Sequence, residues 1–457
     1  MSIESVIQFR RAPSVNRSKK LDVVMAYPMP TLDSPFSLTP LSILFPGRMF
    51  EDQGLRVEYW DQRYDSWEML EDLMRDTVAV AVSAFTGNQC SYAADILIRA
   101  KQIDPKIVTH IGGHHARLCT EDVRREPFVD QVWPDRSYHE HSFPFSPATH
   151  RLWKRGDLQY VTSTGCPYGC QFCALRSSWN PRPLDQLEKE IDALIELTGA
   201  TELSLCDPNI GFDKWKDDDG KRQSVDRLER MKGLGKIFRK HGLTIDANVR
   251  ADYVDQEYAD TMARAGITSL EFGLESGDEF YLRKYIKKGH NVQAGLTANT
   301  CMAQTPISVM NSFIMYGPHE TRENRVNTMN HIDRIMEINP NARASIYRFT
   351  PYPGAPFYDM ACAGDGIAKF DPPKTMKEWG SMPLMVDATY WVAGLCFRLD
   401  NTQKNFPGED WKLIEPYVLD ARRLWKERRP EDFKYAETVE KLISFQIRKH
   451  SGQSKAA

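Results

Sequence analysis

Three cysteines of one short segment have the spacing of an iron–sulfur ligand set. The segment reads Thr-Ser-Thr-Gly-Cys-Pro-Tyr-Gly-Cys-Gln-Phe-Cys over residues 162–173, and its cysteines are Cys166, Cys170 and Cys173. Three thiolates on one loop can bind three irons of a 4Fe–4S cluster and leave the fourth iron without a protein ligand. An iron with a free coordination position suits chemistry better than electron storage. We therefore predict a 4Fe–4S cluster on one tight loop.

The same cysteines could also have a simpler role. The chain has nine cysteines and the remaining six follow no pattern, so the three could just share a glycine-rich turn. A zinc knuckle would need a fourth ligand close by, such as a second cysteine pair or two histidines, and none follows closely. Ligation also needs thiolates, which Arg176 could favour, although it could equally be a surface charge.

The elements around the cysteines form an alternating series of strands and helices. A strand is predicted at residues 158–161, directly before the cysteine segment, and further strands are predicted at 202–206, 243–249, 269–273, 309–315 and 344–349. Apolar residues at helical spacing lie between them. Six β/α units are too few to close an eight-stranded barrel. We predict an open, partial barrel.

Polar side chains follow the ends of these predicted strands. They include Asp207, Arg250, Glu275 and Ser276. The ends of parallel strands meet on one face of a β/α barrel, so we expect these residues beside the cysteines. Carboxylate and guanidinium groups could bind a zwitterionic ligand there. Ordinary roles are equally open, with Arg250 as a surface ion pair and Glu275 as the neighbour of a helix N-cap.

A second alternating series precedes the cysteines. Strands are predicted at 21–26, 55–60, 78–83, 106–111 and 128–132, with helices between them. Such a pattern indicates a doubly wound parallel sheet, which binds ligands beyond the carboxyl ends of its strands. The loops at that edge are 27–32, 83–89 and 112–115, and small residues there allow a ligand to approach the backbone. The candidate contacts are Ser83, Thr86, Gly87, Gly112 and Gly113.

The fold class is therefore α/β, with a doubly wound sheet, a partial barrel and a mostly helical C-terminal segment. We divide the chain into a polar leader (1–20), the first sheet domain (21–141), a linker (142–157), the barrel (158–368) and a cap over the open side of the barrel (369–457). The cap is predicted to end in long charged helices at 411–425 and 430–449.

Composition limits the classes of function. Hydrophobic residues make up 41% and charged residues 26% of the 457 residues, and the net charge is −3, with a pI near 6.4. A nucleic-acid-binding protein should carry a basic excess. The sequence has neither an apolar run of about 20 residues nor a secretory signal. An odd number of cysteines in a large chain favours the reducing cytoplasm.

The cysteine segment, with Phe172 before its last cysteine, resembles the cluster loop of the radical S-adenosylmethionine superfamily. Segments 248–252, 272–277, 287–289, 313–318 and 349–354 resemble strand ends of the branch that has an N-terminal cobalamin-binding domain, and Gly112-Gly113-His114 resembles a loop of that domain. Two motifs depart from the family. The DxHxxG motif that places a histidine below cobalt is absent, and Asp207-Pro-Asn209 stands where a Gly-Gly-Glu motif would contact the methionyl amine.

The resemblance implies three cofactors, namely a 4Fe–4S cluster, S-adenosylmethionine and cobalamin. The three cysteines would bind the cluster. The expected S-adenosylmethionine contacts are Phe172, Asp207, Arg250, Glu275 and Ser276, and the expected cobalamin contacts are Ser83, Thr86, Gly87, Gly112 and Gly113.

The implied activity is methylation of an unactivated carbon in a small biosynthetic intermediate or a peptide. A 5′-deoxyadenosyl radical would abstract hydrogen and methylcobalamin would donate the methyl group, while the protein orients the cofactors. The resemblance also implies an external electron donor such as flavodoxin or ferredoxin, without nucleic acid or membrane. Radical cyclisation, rearrangement or oxidation without methyl transfer is the alternative, followed by an iron–sulfur electron carrier. No catalytic side chain is identified.

Overall fold

The computed structural model describes residues 19–30, 39–133, 143–155, 157–217, 219–381 and 412. The predicted C-terminal helices at 411–425 and 430–449 and most of the polar leader lie outside the described residues. The strands β1–β15 are, in chain order, Leu21–Tyr27, Val57–Asp61, Thr77–Ser83, Val108–Gly112, Gln131–Val132, Gln159–Tyr160, Ser163–Cys166, Ser177–Pro181, Glu202–Leu205, Lys214–Lys216, Arg222–Ser224, Thr244–Asn248, Ile267–Glu275, Ser308–Met315 and Ala342–Arg348.

The helices separate these strands in the alternating order that the sequence predicts. In chain order, α1–α14 are Leu41–Glu51, Trp67–Arg75, Asn88–Ile103, Gly113–Leu118, Thr120–Arg124, His150–Trp153, Leu184–Thr198, Arg227–Lys240, Gln256–Ala265, Glu279–Tyr281, Val292–Met302, Arg322–Ile338, Pro356–Ala363 and Met376–Ser381. A 3-10 turn spans Ala251–Tyr253, and α10 continues into a π-helical turn at Leu282–Ile286.

The first sheet has the order β2-β1-β3-β4-β5, and all of its strand pairs are parallel. Runs such as Val-Ala-Val-Ala-Val in β3 are buried along almost their whole length, as expected of a parallel sheet covered on both faces. The strand order reverses between β1 and β3, and ligands of doubly wound sheets bind at such a switch point. The predicted doubly wound domain is confirmed.

The second sheet has the order β15-β14-β13-β12-β9-β6 and is also parallel. Its six strands coincide with the six that the sequence predicts, so the partial barrel is confirmed. Residues Ser163–Cys166 form β7, which pairs antiparallel with β8. Cys166 ends β7, and Cys170 and Cys173 lie in the loop 167–176 between the two strands. The predicted cysteine loop is therefore the connection of a β-hairpin, called here the cysteine hairpin.

Residues 143–155 are packed rather than exposed, although they were predicted as a linker. Leu152 and Trp153 of α6 are buried in one apolar cluster that includes Tyr59 of the first domain and Leu205 of the barrel. The Trp153 indole N–H donates to the Pro144 carbonyl at 3.0 Å. Because this segment contributes to a shared core, it fixes the two sheets against each other.

The described part of the C-terminal segment packs against the first domain. Helix α14 lies on α3 of the first domain, where Lys377 pairs with Asp95 and the Met376 N–H donates to Glu126 at 2.6 Å. Trp379 is buried and lies edge-on to His115, with ring centroids 5.6 Å apart. Residues 376–381 therefore lie on the first domain, while the cap over the barrel stays a prediction.

No helix in the described part of the chain combines the length and the apolar character needed to cross a membrane. The eight cysteines that the structure describes are free thiols.

Candidate functional site

The cysteine hairpin depends on a sharp local irregularity at Gly165. Its φ is +81°, and the pairing register of β7 and β8 shifts between Thr164 and Cys166. A β-carbon at Gly165 would lie 1.8 Å from the Ser178 carbonyl oxygen. Only glycine tolerates both the positive φ and this approach. The glycine therefore allows the irregularity directly before Cys166, which pairs with Ser177 at the end of the ladder.

Asp207 anchors the start of this hairpin. Its carboxylate accepts hydrogen bonds from the Thr162 N–H at 2.8 Å, the Thr162 hydroxyl at 2.6 Å and the Ser163 hydroxyl. Arg230 donates to the Thr162 carbonyl at 2.9 Å. Burial raises the pKa of Asp207, while these hydrogen bonds oppose the rise. Both carboxylate oxygens therefore bind the start of the hairpin, and the contact with S-adenosylmethionine stays a prediction.

The three thiols lie close enough to influence one another. Burial raises the pKa of each, and the charge of another cysteine of the set adds to the rise in every case. The charge of Lys288 lowers the pKa of all three, and backbone N–H groups of Tyr168 and Leu175 point at Cys166 and Cys173. Arg176, which could favour thiolates, is exposed.

The described residues contain no group of three His, Cys, Asp or Glu side chains that converges on a single metal ion. A 4Fe–4S site does not require such a group, because each of its cysteines binds a different iron and the sulfurs need not meet at one point. Free thiols with N–H donors and a nearby cation fit an anionic iron–sulfur cluster.

Arg250 is a buried residue whose guanidinium binds other groups of the protein. It is 6% exposed and binds Asp252 through two hydrogen bonds of 3.0 Å. A further hydrogen bond of 2.9 Å reaches the Lys288 carbonyl. Its guanidinium lies 3.5 Å from the centroid of the Tyr168 ring. Stacking between guanidinium and aromatic faces is favourable, so Arg250 holds the turn between Cys166 and Cys170 in place.

Glu275 and Lys288 form a buried ion pair beside the cysteines. The Oε1–Nζ distance is 2.5 Å, and the side chains are 7% and 10% exposed. Glu275 has a φ of +67°, which is strained for this residue type and typical of functional sites. A β-carbon at Gly273 would lie 2.5 Å from Glu275 Oε1, so glycine makes room for the pair.

Lys288 is a site residue that the sequence did not single out. It follows the π-helical turn Leu282–Ile286, a feature frequent at functional sites, and its Nζ lies 5.8 Å from the centroid of the Phe172 ring. The Ile286 carbonyl accepts the Gln171 N–H at 2.9 Å. The segment 287–289 was noted only as part of the resemblance, and a lysine beside a glycine carries no clear signal of burial.

Ser276 and Phe172 have different surroundings. The Ser276 hydroxyl is buried, lies 3.2 Å from the Thr328 hydroxyl and accepts the Asp278 N–H at 3.1 Å. It therefore stabilises the turn after β13. Phe172 is half-buried and faces Lys288, so its ring lies with the ion pair on the cysteine side.

The carboxyl edge of the first sheet brings the five predicted cobalamin residues onto two adjacent loops. A β-carbon at Gly113, whose φ is +89°, would lie 2.6 Å from Ser83 Oγ and 2.8 Å from Ala84 N. The Thr86 hydroxyl bonds His115 Nδ1 at 3.1 Å, while Gly87 and Gly112 precede α3 and α4. These contacts join the two loops to each other.

Phe85 is the exposed member of this edge, and sequence reasoning did not select it. It is 47% exposed and stacks on His114 with ring centroids 4.7 Å apart. An apolar ring held open to solvent beside a glycine-lined crevice fits the flat face of a large macrocycle such as a corrin.

The loop at residues 350–354, after β15, contacts both the carboxyl edge of the first sheet and the cysteine hairpin. Tyr352 lies edge-on to Phe85 with ring centroids 5.9 Å apart. A β-carbon at Gly354 would lie 2.6 Å from Leu118 of the first domain and 3.5 Å from Ala174 of the cysteine hairpin. The carboxyl edge of the first sheet and the cysteine hairpin therefore share a wall.

Gly113 offers a test of the crevice. Gly113→Ala should abolish retention of cobalamin through gel filtration, because its β-carbon displaces backbone atoms of the neighbouring loop. Gly54→Ala is a matched control, since Gly54 also has a positive φ but nothing within 4 Å of its β-carbon position. The control should cost about 1–2 kcal/mol of stability and keep cobalamin. Equal retention by both variants would remove Gly113 from the site.

Two family models match this architecture. The B12 binding domain matches residues 31–135, and the radical SAM superfamily matches residues 160–332. The chain thus contains a B12-binding domain followed by a radical SAM domain. These two domains imply cobalamin, a 4Fe–4S cluster and S-adenosylmethionine as cofactors.

Curated relatives are distant. An uncharacterized methyltransferase of Pyrococcus horikoshii is 26% identical over 45% of this chain and 42% of its own length. A tRNA-2-methylthio-N(6)-dimethylallyladenosine synthase of Halorhodospira halophila is 25% identical over 60% of this chain and 61% of its own. A cytidylyl-2-hydroxyethylphosphonate methyltransferase of Streptomyces wedmorensis is 26% identical over 30% and 24%. The chain spans less than two thirds of the length of each.

Two solved structures share the fold. The cobalamin-dependent S-adenosylmethionine radical enzyme OxsB aligns with a TM-score of 0.63 at 15% identity over 98% of this chain and 80% of its own. The radical S-adenosylmethionine methyltransferase TsrM from Kitasatospora setae aligns with a TM-score of 0.58 at 16% identity over 78% and 84%. At these identities the likeness establishes the fold, including both domains.

Proposed function

We propose that this protein is a cobalamin-dependent radical S-adenosylmethionine methyltransferase that methylates an unactivated carbon. The observation that carries the proposal is the shared wall between the two cofactor edges, where Tyr352 meets Phe85 and Gly354 lies between Leu118 and Ala174. A methyl group held on one edge and a radical generated on the other must reach the same substrate carbon. Two cofactor sites that share a wall could meet this requirement, whereas two remote sites could not.

The bound cofactors would supply reductive cleavage of the sulfonium and transfer of a methyl group. We assign the cluster to Cys166, Cys170 and Cys173, on the hairpin that Asp207 and Arg250 hold in place. Phe172 and the pair of Glu275 and Lys288 would line the S-adenosylmethionine site. Ser276, Asp207 and Arg250 would position these groups. Ser83, Thr86, Gly87, Gly112 and Gly113 would shape the cobalamin crevice, with Phe85 against the corrin.

The inner face of the partial barrel supports a small, polar substrate. Asp246 on β12 and Glu271 on β13 alternate with buried apolar side chains along their strands. The Ser312 hydroxyl donates to Glu271, and Ser204 donates to Asp246 at 3.3 Å. Burial raises the pKa of both carboxyls. A small biosynthetic intermediate or a peptide segment suits this lumen better than an apolar substrate.

Product analysis tests the proposal. The anaerobically reconstituted protein, loaded with cobalamin and reduced with methyl viologen, should convert S-adenosylmethionine into both 5′-deoxyadenosine and S-adenosylhomocysteine. The second product reports methyl donation. Formation of 5′-deoxyadenosine alone, also with candidate substrates, would support radical rearrangement, cyclisation or oxidation instead. Formation of neither product by a protein with an intact cluster would support an electron carrier.

A further inference from the structure

A cavity of about 520 Å³ opens beside the cysteine hairpin. Its walls are Cys166, residues 167–169, residues 176–178 and strand β10. Cys166 is partly exposed, whereas Cys170 is buried. The cavity therefore offers a short path from solvent to a cysteine that we assign to the cluster.

The charged groups that line this cavity are all cations. They are Arg176, Lys214 and Lys216, and all three side chains are exposed. Among the described residues none of them has an ion-pair partner. Of the nearby carboxylates, Asp213 pairs with Arg227 and Asp217 accepts the Lys221 N–H at 2.7 Å, while Asp219 is exposed.

The cations are held on a rigid support. Strands β10 and β11 form a hairpin, and Trp215 packs edge-on against the buried Trp179, with ring centroids 4.8 Å apart. The Ser178 hydroxyl donates to the Lys216 carbonyl at 3.1 Å. Since β8 carries Ser178 and also pairs with β7, the basic hairpin and the cysteine hairpin form one unit.

We propose that this basic cavity is the docking site of an acidic electron-transfer protein, a small redox carrier with a carboxylate-rich surface. The inference rests on the proposed function, because cleavage of S-adenosylmethionine consumes an electron that must come from outside. In the docked complex the reduced carrier transfers one electron to the cluster, and no covalent bond forms or breaks. Complementary charge raises association rates by about 10–1000-fold and sets the orientation in which Cys166 faces the partner.

The test uses the rate of cluster reduction in the full, cluster-loaded chain. Reduced flavodoxin is the acidic donor, and bleaching of cluster absorbance is followed by stopped flow at low salt. The double variant Lys214→Glu/Lys216→Glu should be reduced about tenfold more slowly and bind flavodoxin about tenfold more weakly by calorimetry. The wild-type rate should fall as salt rises, because exposed charges are screened, and the variant rate should not.

Two controls make the result specific. Lys189→Glu/Lys236→Glu changes net charge by the same amount on exposed positions of α7 and α8, and should leave the flavodoxin rate unchanged. Reduced methyl viologen, a small cation, should reduce the cavity variant at least as fast as the wild type.

The proposal is overturned by equal flavodoxin rates for the two double variants. It is also overturned if inorganic phosphate binds the cavity tightly while the flavodoxin rate is independent of Lys214 and Lys216, which would indicate a small-anion site. Failure of this proposal can be distinguished from failure of the proposed function. Loss of S-adenosylhomocysteine formation would leave the docking result intact, and loss of the docking effect would leave methyl transfer intact.

Discussion

Replacing Cys166, Cys170 and Cys173 by alanine together should lower the iron content of the anaerobically reconstituted protein from about four irons per chain to almost none. The three thiols are free, lie on one hairpin and influence one another electrostatically. No other cysteines of the described residues share such a segment. Iron quantification together with the cluster absorbance measures the effect.

The matched control is Cys206→Ala/Cys301→Ala, which removes thiols outside the hairpin. Cys206 follows β9 and Cys301 lies on α11, so neither belongs to the cysteine hairpin. The control should keep about four irons. A triple variant that retains the iron of the wild type would contradict the assignment of the cluster to this hairpin.

Lys288→Met should destabilise the protein by about 3–5 kcal/mol, because it leaves Glu275 as a buried carboxylate without its partner. The pair is almost fully buried, at 10% and 7% side-chain exposure. Water cannot replace the lost cation at such a position. The melting midpoint of the purified chain should fall by more than about 5 °C.

Two further variants separate the ion pair from other effects. Lys287→Met changes the exposed neighbouring lysine and should cost less than about 0.5 kcal/mol. Lys288→Met/Glu275→Gln removes both charges and should recover most of the lost stability. If the Lys288→Met variant has the same melting midpoint as the wild type, the ion pair does not stabilise the turn beside the cysteines.

The order and type of the sheet strands could be predicted because both sheets are parallel and their strands are buried. Continuous apolar runs such as β3, separated by amphipathic helices, leave few alternative topologies. Predicting the cysteine hairpin was harder. Its strands β7 and β8 are short and polar, and their pairing depends on a bulge at Gly165 and on the buried carboxylate of Asp207, which no periodicity reveals.

The site residues also fall into those that could be predicted from the sequence and those that could not. The cysteines were found because metal ligation requires a fixed residue type and spacing. Asp207, Arg250 and Ser276 were placed at the correct sheet edge, but their partners Thr162, Tyr168 and Thr328 are distant in sequence. Lys288 and Phe85 were missed for a related reason. A buried lysine and an exposed phenylalanine oppose the usual preference of each residue type, and only tertiary contacts make them recognisable.

One chain should hold both cofactors close together and pass a methyl group from S-adenosylmethionine to cobalamin. The most direct measurement incubates the reconstituted, reduced protein with S-adenosylmethionine labelled in its methyl group and analyses the extracted cobalamin by mass spectrometry. We expect labelled methylcobalamin together with an equal amount of S-adenosylhomocysteine, with no substrate required. Bound cobalamin that stays unlabelled while 5′-deoxyadenosine accumulates would contradict methyl transfer.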